Sequence, residues 1–141
     1  MTLHRTLLMT VVLLASSGVV ARTGPAMSVV SSGTLRDLSG ATVGQVSIER
    51  QGGRAYVHVT DAGKAAGATL ELLVSTSSRT LKAGDHTGPG NIAVQAGLIE
   101  EAEVRSALPA SINPSSLRSV WVWCRSVRLP SARATLTPSL P

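Results

Sequence analysis

Phenylalanine is absent from this 141-residue chain, and two Trp and one Tyr are its only aromatics. A core built from such a sequence is aliphatic. A single Cys excludes an internal disulfide, a zinc finger and a Cys-x-x-Cys redox pair. Charge is also sparse, at 15% of residues, and the mean hydropathy is +0.24, which excludes wholesale disorder. With 13 Gly and 7 Pro the chain falls well short of a collagenous or low-complexity composition. No Gly-x-Ser-x-Gly elbow is present, and the glycines at 84–90 are not followed by the Lys-Ser/Thr of a phosphate loop. Glu100, Glu101 and Glu103 stand too close in sequence to define an acid/base pair and read as a solvated charged face. What remains is a small globular domain of one core, in keeping with its length.

The first residues have the composition of a targeting segment. Residues 1–6 carry Arg5, residues 7–14 are almost continuously apolar, and small residues follow up to Ala21. This is the order of a secretory signal peptide, with cleavage expected after Ala21. An uncleaved anchor is the other reading, but the apolar stretch is shorter than the roughly 20 residues a membrane helix needs. Removing residues 1–21 takes away Arg5 alone and leaves 12 basic and 8 acidic residues. The chain is then exported, to a periplasmic, cell-envelope or extracellular location, with no membrane span after cleavage. Residues 22–32 read as a flexible leader, 33–137 as the domain and 138–141 as a tail.

The mature chain reads as short strands. Residues 42–49 alternate, with Thr42, Gly44, Val46 and Ile48 opposite Gln45, Ser47 and Glu49. Residues 54–60 place Ala55, Val57 and Val59 opposite Tyr56, His58 and Thr60. This period of two marks half-buried strands, and Gln51-Gly52-Gly53 between them suits a hairpin turn. Residues 69–75 put Leu70, Leu72 and Val74 on one face, and residues 91–98 put Ile92, Val94, Ala96 and Leu98 in step. Residues 117–124 form the strongest strand. Residues 75–90 read as a long polar loop around a short strand near Leu81. Residues 99–108 fit a helix, through Glu101 and Arg105 at i,i+4 spacing, or a strand, through Ala102, Val104 and Ser106. The class expected is all-β, a single β-sandwich-like domain of about seven to nine strands.

Chemistry concentrates around the lone cysteine. Alternation from Ser119 to Arg125 puts Val120, Val122 and Cys124 on one face and Trp121, Trp123 and Arg125 on the other. Val127 and Leu129 are apolar at odd positions, so the register must switch by a bulge or a strand break near Arg125-Ser126. Cys124 reads either as a buried small hydrophobe or as a redox-active thiol or cofactor ligand, the latter because an unpaired Cys in an exported chain meets oxidising conditions. Trp121 and Trp123 read as cover for the second sheet face, as packing beneath the long loop, or, with Arg125, as a binding patch. Arg118, Arg125, Arg128 and Arg133 make this end basic; such charges form a solvated face or meet an anionic envelope surface.

The run Leu108-Pro109 … Leu117-Arg118-Ser119-Val120-Trp121-Val122-Trp123-Cys124 … Ala134-Thr135-Leu136 resembles the end of the DM-thirteen domain, a family described as an electron-transfer domain. Cys124 and Ala134 have the family's nine-residue separation. Gly33-Thr34-Leu35 is similar to its opening Gly-x-Phe, the run from Gly44 to Ile48 to its next glycine and strand, and Gly67-Ala68-Thr69-Leu70 to its Gly-Pro-Asp-Leu. The resemblance implies a β-rich extracytoplasmic domain, akin to haem- or sugar-binding sandwiches, with Cys124 at the position of the redox cysteine. The chain departs from the family where Ala68-Thr69 replace Pro-Asp, and where Val127 and Ser131 stand at aromatic positions.

Other cofactor chemistry finds little in the inventory. A blue-copper site needs two His, a Cys and a weak axial ligand, and His58, His86, Cys124 and Met27 lack the short spacing after the Cys. No metal site is expected. Covalent haem is excluded because Cys-x-x-Cys-His is absent, while non-covalent haem would need a His, Met or Cys ligand. The cofactor therefore stays unknown, with haem open. Nucleic acid is not an expected partner, since the chain carries no recognition motif. Two functions are expected: an exported redox or electron-transfer domain centred on Cys124 with an unknown redox partner, or a non-catalytic envelope-binding module using Trp121, Trp123 and Arg125. Neither makes the domain an enzyme in its own right.

Overall fold

Two alternating segments and two glycines build the first hairpin. In the computed structural model, which describes residues 24–61, 70–82, 85 and 93–140, β2 (Thr42–Gln51) pairs antiparallel with β3 (Arg54–Thr60). Gly52 and Gly53 make the two-residue connection at φ 58° and 77°, a conformation that costs glycine little and twists as the strands do. The turn fixes the register Gln51↔Arg54, and Val46, Ile48, Val57 and Val59 consequently fall on one buried face.

The remaining strands are β1 (Ser28–Asp37), β4 (Leu70–Ser75), β5 (Ala93–Ile99), β6 (Val104–Ala107), β7 (Ser119–Cys124), β8 (Leu129–Thr135) and β9 (Thr137–Pro138). They join in one antiparallel sheet of order β5-β4-β7-β8-β1-β2-β3-β6, with β9 alongside β1. The end strands β5 and β6 lie against each other, so the sheet curls into a nearly closed, barrel-like sandwich. At this seam Gly97 of β5 faces Ser106 of β6 so closely that a Cβ at position 97 would collide with the Ser106 hydroxyl. A 3₁₀ turn, Pro114–Ser116, is capped by the Asn113 side chain. Among the described residues no helix is long and apolar enough to cross a membrane.

Two cores result. The inner one collects Leu35, Ile48, Val57, Leu72, Val120 and Ala134, among others, from the concave face. The outer one is small: Leu73, Leu81, Ala93, Trp121 and Trp123. Leu81 belongs to the segment after β4, which folds back over the sheet instead of forming a strand. The carbonyl of Ser77 in this segment accepts a hydrogen bond from Ser119 Oγ at 2.7 Å.

Several boundaries differ from the sequence expectation. The leader was expected to run to residue 32, yet β1 starts at Ser28, because Ser31 and Ser32 find partners in β9 as well as β2. The tail contributes Pro138 to β9, and Ser139 N donates to Val30 O at 3.0 Å. Residues 99–108 resolve as a strand over Val104–Ala107. In β5 a bulge opposite Leu72 and Leu73 breaks strict alternation, so Ala93 and Ala96 are buried while Val94 and Leu98 are exposed. The register switch after Cys124 is a strand break: residues 125–128 form a turn, with Arg128 at φ 54°, and β8 starts afresh. Residues 1–21, His86, Gly67-Ala68-Thr69 and Ile92 lie outside the described residues.

Candidate functional site

Cys124 is the last residue of β7, paired with Leu129, the first of β8. Its side chain lies on the Val120 and Val122 face at the margin of the inner core and is half-buried. Sγ sits 3.2 Å from Ser126 Oγ. Hydrogen bonds from the Ser126 hydroxyl and then from the backbone N–H groups of Val127 and Ser126 hold the thiol below its ordinary pKa, against a smaller opposing effect of burial. The tight turn supplies these donors because it aims its N–H groups back at the strand end. The thiol opens on a shallow groove of about 390 Å³ between the β1–β2 turn, with Asp37, Leu38 and Ser39, and the start of β8, with Leu129, Pro130 and Ser131.

Arg125 is exposed and points the other way. Its Nε lies 3.2 Å from Oε1 of Glu71, a carboxylate buried on the outer face of β4. The cation next to the cysteine in sequence is therefore engaged elsewhere, and the lowered thiol pKa comes from the turn.

The two tryptophans do not form a surface. Trp121 is 2% exposed and Trp123 is 0% exposed, packed with Leu73 and Ala93 under Leu81. Trp121 Nε1 donates to Ser119 Oγ at 3.1 Å, and the Arg133 guanidinium lies 5.4 Å from the Trp121 ring centre. Of the expected Trp121/Trp123/Arg125 binding patch only Arg125 reaches solvent. The indoles fill the outer core because the loop after β4 closes on them.

A second polar cluster occupies the outer face of β2, β3 and β6. His58 Nδ1 lies 2.7 Å from Glu49 Oε1, and its Nε2 lies 2.7 Å from Glu103 Oε1. Arg105 Nε donates to Glu49 Oε2 and its Nη2 to Gln51 Oε1, each at 2.9 Å, while its guanidinium stacks 3.7 Å from the Tyr56 ring centre. Burial pushes the Glu49 carboxyl up, but hydrogen bonds from Arg105, His58 and Ser47 outweigh it and leave the pKa lowered. Burial works against a charge on His58, and its bonds to Glu103 and Glu49 outweigh that, so its pKa is raised. In its protonated form the imidazole can donate from both nitrogens, one to each carboxylate, and the ring then acts as a cross-strand clamp.

Alternation along residues 54–60 places His58 on the Tyr56 face, where it lies, and Glu103 is exposed as its charged neighbourhood suggests, yet it also meets His58. The Gly52-Gly53 turn held part of the signal, because it sets Ser47 opposite His58 and Glu49 opposite Tyr56. Glu103 and Arg105 join only through the β3–β6 pairing, which no local pattern announces. Met27 is exposed. Among the described residues no group of three or more His, Cys, Asp or Glu side chains is arranged to hold a metal ion. No family model, no curated protein and no solved structure matches this chain.

Proposed function

We propose that this domain is an exported thiol-redox or electron-transfer module whose reacting atom is Cys124 Sγ. The observation that carries the reading is the thiol's setting: half-buried, lowered in pKa by donors of the 125–128 turn, and open to a groove. A thiolate is the nucleophilic form of cysteine, and the rate of exchange follows its fraction and its access. With a small disulfide as co-reactant, Sγ forms a bond to one sulfur, the disulfide bond breaks, and the second sulfur leaves as a thiolate with the electron pair. The chain has no second cysteine, so an external thiol must release the mixed disulfide. The resemblance of the terminal strand to the DM-thirteen domain supports the same atom, and the signal-like residues 1–21 support an extracytoplasmic setting for it.

The test is an absorption spectrum of the protein as isolated, followed by thiol titration with the neutral disulfide dithiodipyridine, with and without denaturant. One thiol per chain should react in the folded protein, with a half-maximal rate below the ordinary thiol range, and Cys124→Ser should abolish the reaction. A thiol that reacts only after unfolding, in a protein without cofactor absorption, would sink the proposal.

A further inference from the structure

The outer face of β1 and β8 places two like charges directly opposite each other. Arg36 and Arg133 are register partners across the β1–β8 pair. Like charges in this relation destabilise a sheet. Among the described residues neither guanidinium has a carboxylate partner. Arg36 Nη1 donates to Gly40 O at 3.1 Å and to Thr42 Oγ1 at 3.3 Å. Arg133 Nη1 reaches Thr80 Oγ1 at 3.5 Å and leans over Trp121. Arg36 thus turns toward β2 and Arg133 toward β7, which separates the two cations.

Both arginines line one groove of about 570 Å³, walled also by the hydroxyl-bearing Thr34, Thr80 and Thr135 and floored by Trp121. The acidic side chain in its wall, Asp37, is already engaged through one of its oxygens. Its Oδ1 accepts from Ser39 N, Ser39 Oγ and Ala41 N at 2.6–3.0 Å, and these bonds, that of the Ser39 hydroxyl above all, lower its pKa. The groove therefore offers two cations in need of an anion, neutral donors around them, and a carboxylate turned into its own loop. Arg forks pair with carboxylate and phosphate through parallel hydrogen bonds.

We propose that this groove binds a small soluble molecule through a carboxylate or phosphate group held between Arg36 and Arg133. The ligand supplies the charge that the opposed arginines lack. The inference stands without the redox reading. The two grooves share Asp37, Leu38 and Pro130 in their walls, which places the anion site beside the thiol.

Trp121 under Arg133 provides the readout. The full mature chain is titrated with inorganic phosphate and, separately, with succinate, ionic strength being held constant with sodium chloride, while tryptophan fluorescence and melting temperature are followed. At least one anion should give a saturable fluorescence change and a raised Tm, as any ligand of the folded state does. Arg36→Gln and Arg133→Gln should each weaken binding by about tenfold or more, the worth of one charge-assisted hydrogen bond. Arg118→Gln, outside the groove, and Cys124→Ser should leave it unchanged. If the glutamine variants fail to fold, Arg36→Lys and Arg133→Lys keep the charge and lose the fork, and binding should still weaken. A response to neither anion, a response matched by chloride, unchanged binding in the groove variants, or binding only to phosphatidylglycerol vesicles would overturn the proposal.

Discussion

His58 joins two carboxylates that stand 9 and 45 residues away in the chain, and the charges on this clamp make stability depend on pH in a definite direction. The pKa of His58 is raised above its ordinary 6.5, so its contribution is complete below pH 6.5 and is lost as pH rises through the raised value. The pKa of Glu49 is lowered below 4.5, so its contribution is complete above pH 4.5 and is lost as pH falls through the lowered value. The two act together in full between pH 4.5 and 6.5. Melting temperatures measured from pH 4 to 9 (about one unit per step) should therefore decline on the alkaline side, and His58→Gln should flatten that decline. Equal alkaline slopes in the two proteins would show that the clamp does not act through charge. The ring's face was legible in the alternation of β3. Its partners were not, because Glu103 reaches it from outside any pattern that residues 54–60 contain.

At the scale of the element, hairpins were readable where a turn carried its own chemistry. Gly52-Gly53 announced β2 and β3, and the bounds expected for β3 match the strand. β1 begins inside the stretch expected as a leader, and pairing with β2 and β9 makes it a strand. In β5 the bulge opposite Leu72/Leu73 reverses the parity on which the expected inward set depended. The seam between β5 and β6 gives an element-scale prediction. Gly97→Val should force Ser106 outward and cost about 1–3 kcal/mol by overpacking. Denaturant midpoints should fall, and the amide protons of β6 should exchange faster. Gly24→Ala, with open space around it, should change neither. A Gly97→Val protein as stable as the parent would mean that the seam is looser than its geometry.

For the whole molecule, the two cores share strands. β4 sends Leu70, Leu72 and Val74 inward and Leu73 outward, and β7 sends Val120 and Val122 inward and Trp121 and Trp123 outward. Neither core can be lost without disturbing strands that build the other. Unfolding in urea should therefore be a single transition, with tryptophan fluorescence, which reads the outer core, coincident with far-UV circular dichroism, which reads the sheet. An earlier fluorescence transition would show that the segment bearing Leu81 lifts off independently. The same duplication explains the fate of the expected binding patch. A sheet face was correctly assigned to both tryptophans, but whether it met solvent or a loop depended on Leu81, some forty residues earlier in the chain.

By itself the sequence determined the class, the alternating faces of β2, β3, β4 and β7, and the presence of a single thiol. These are local properties: side-chain alternation follows from the pleat, and turn residues act on their immediate neighbours. Tertiary structure alone decided that both indoles are covered, that Arg125 serves Glu71 instead of the thiol, and that Arg36 faces Arg133. Each of these outcomes depends on contacts between segments far apart in sequence, where burial and charge are set by which strands become neighbours.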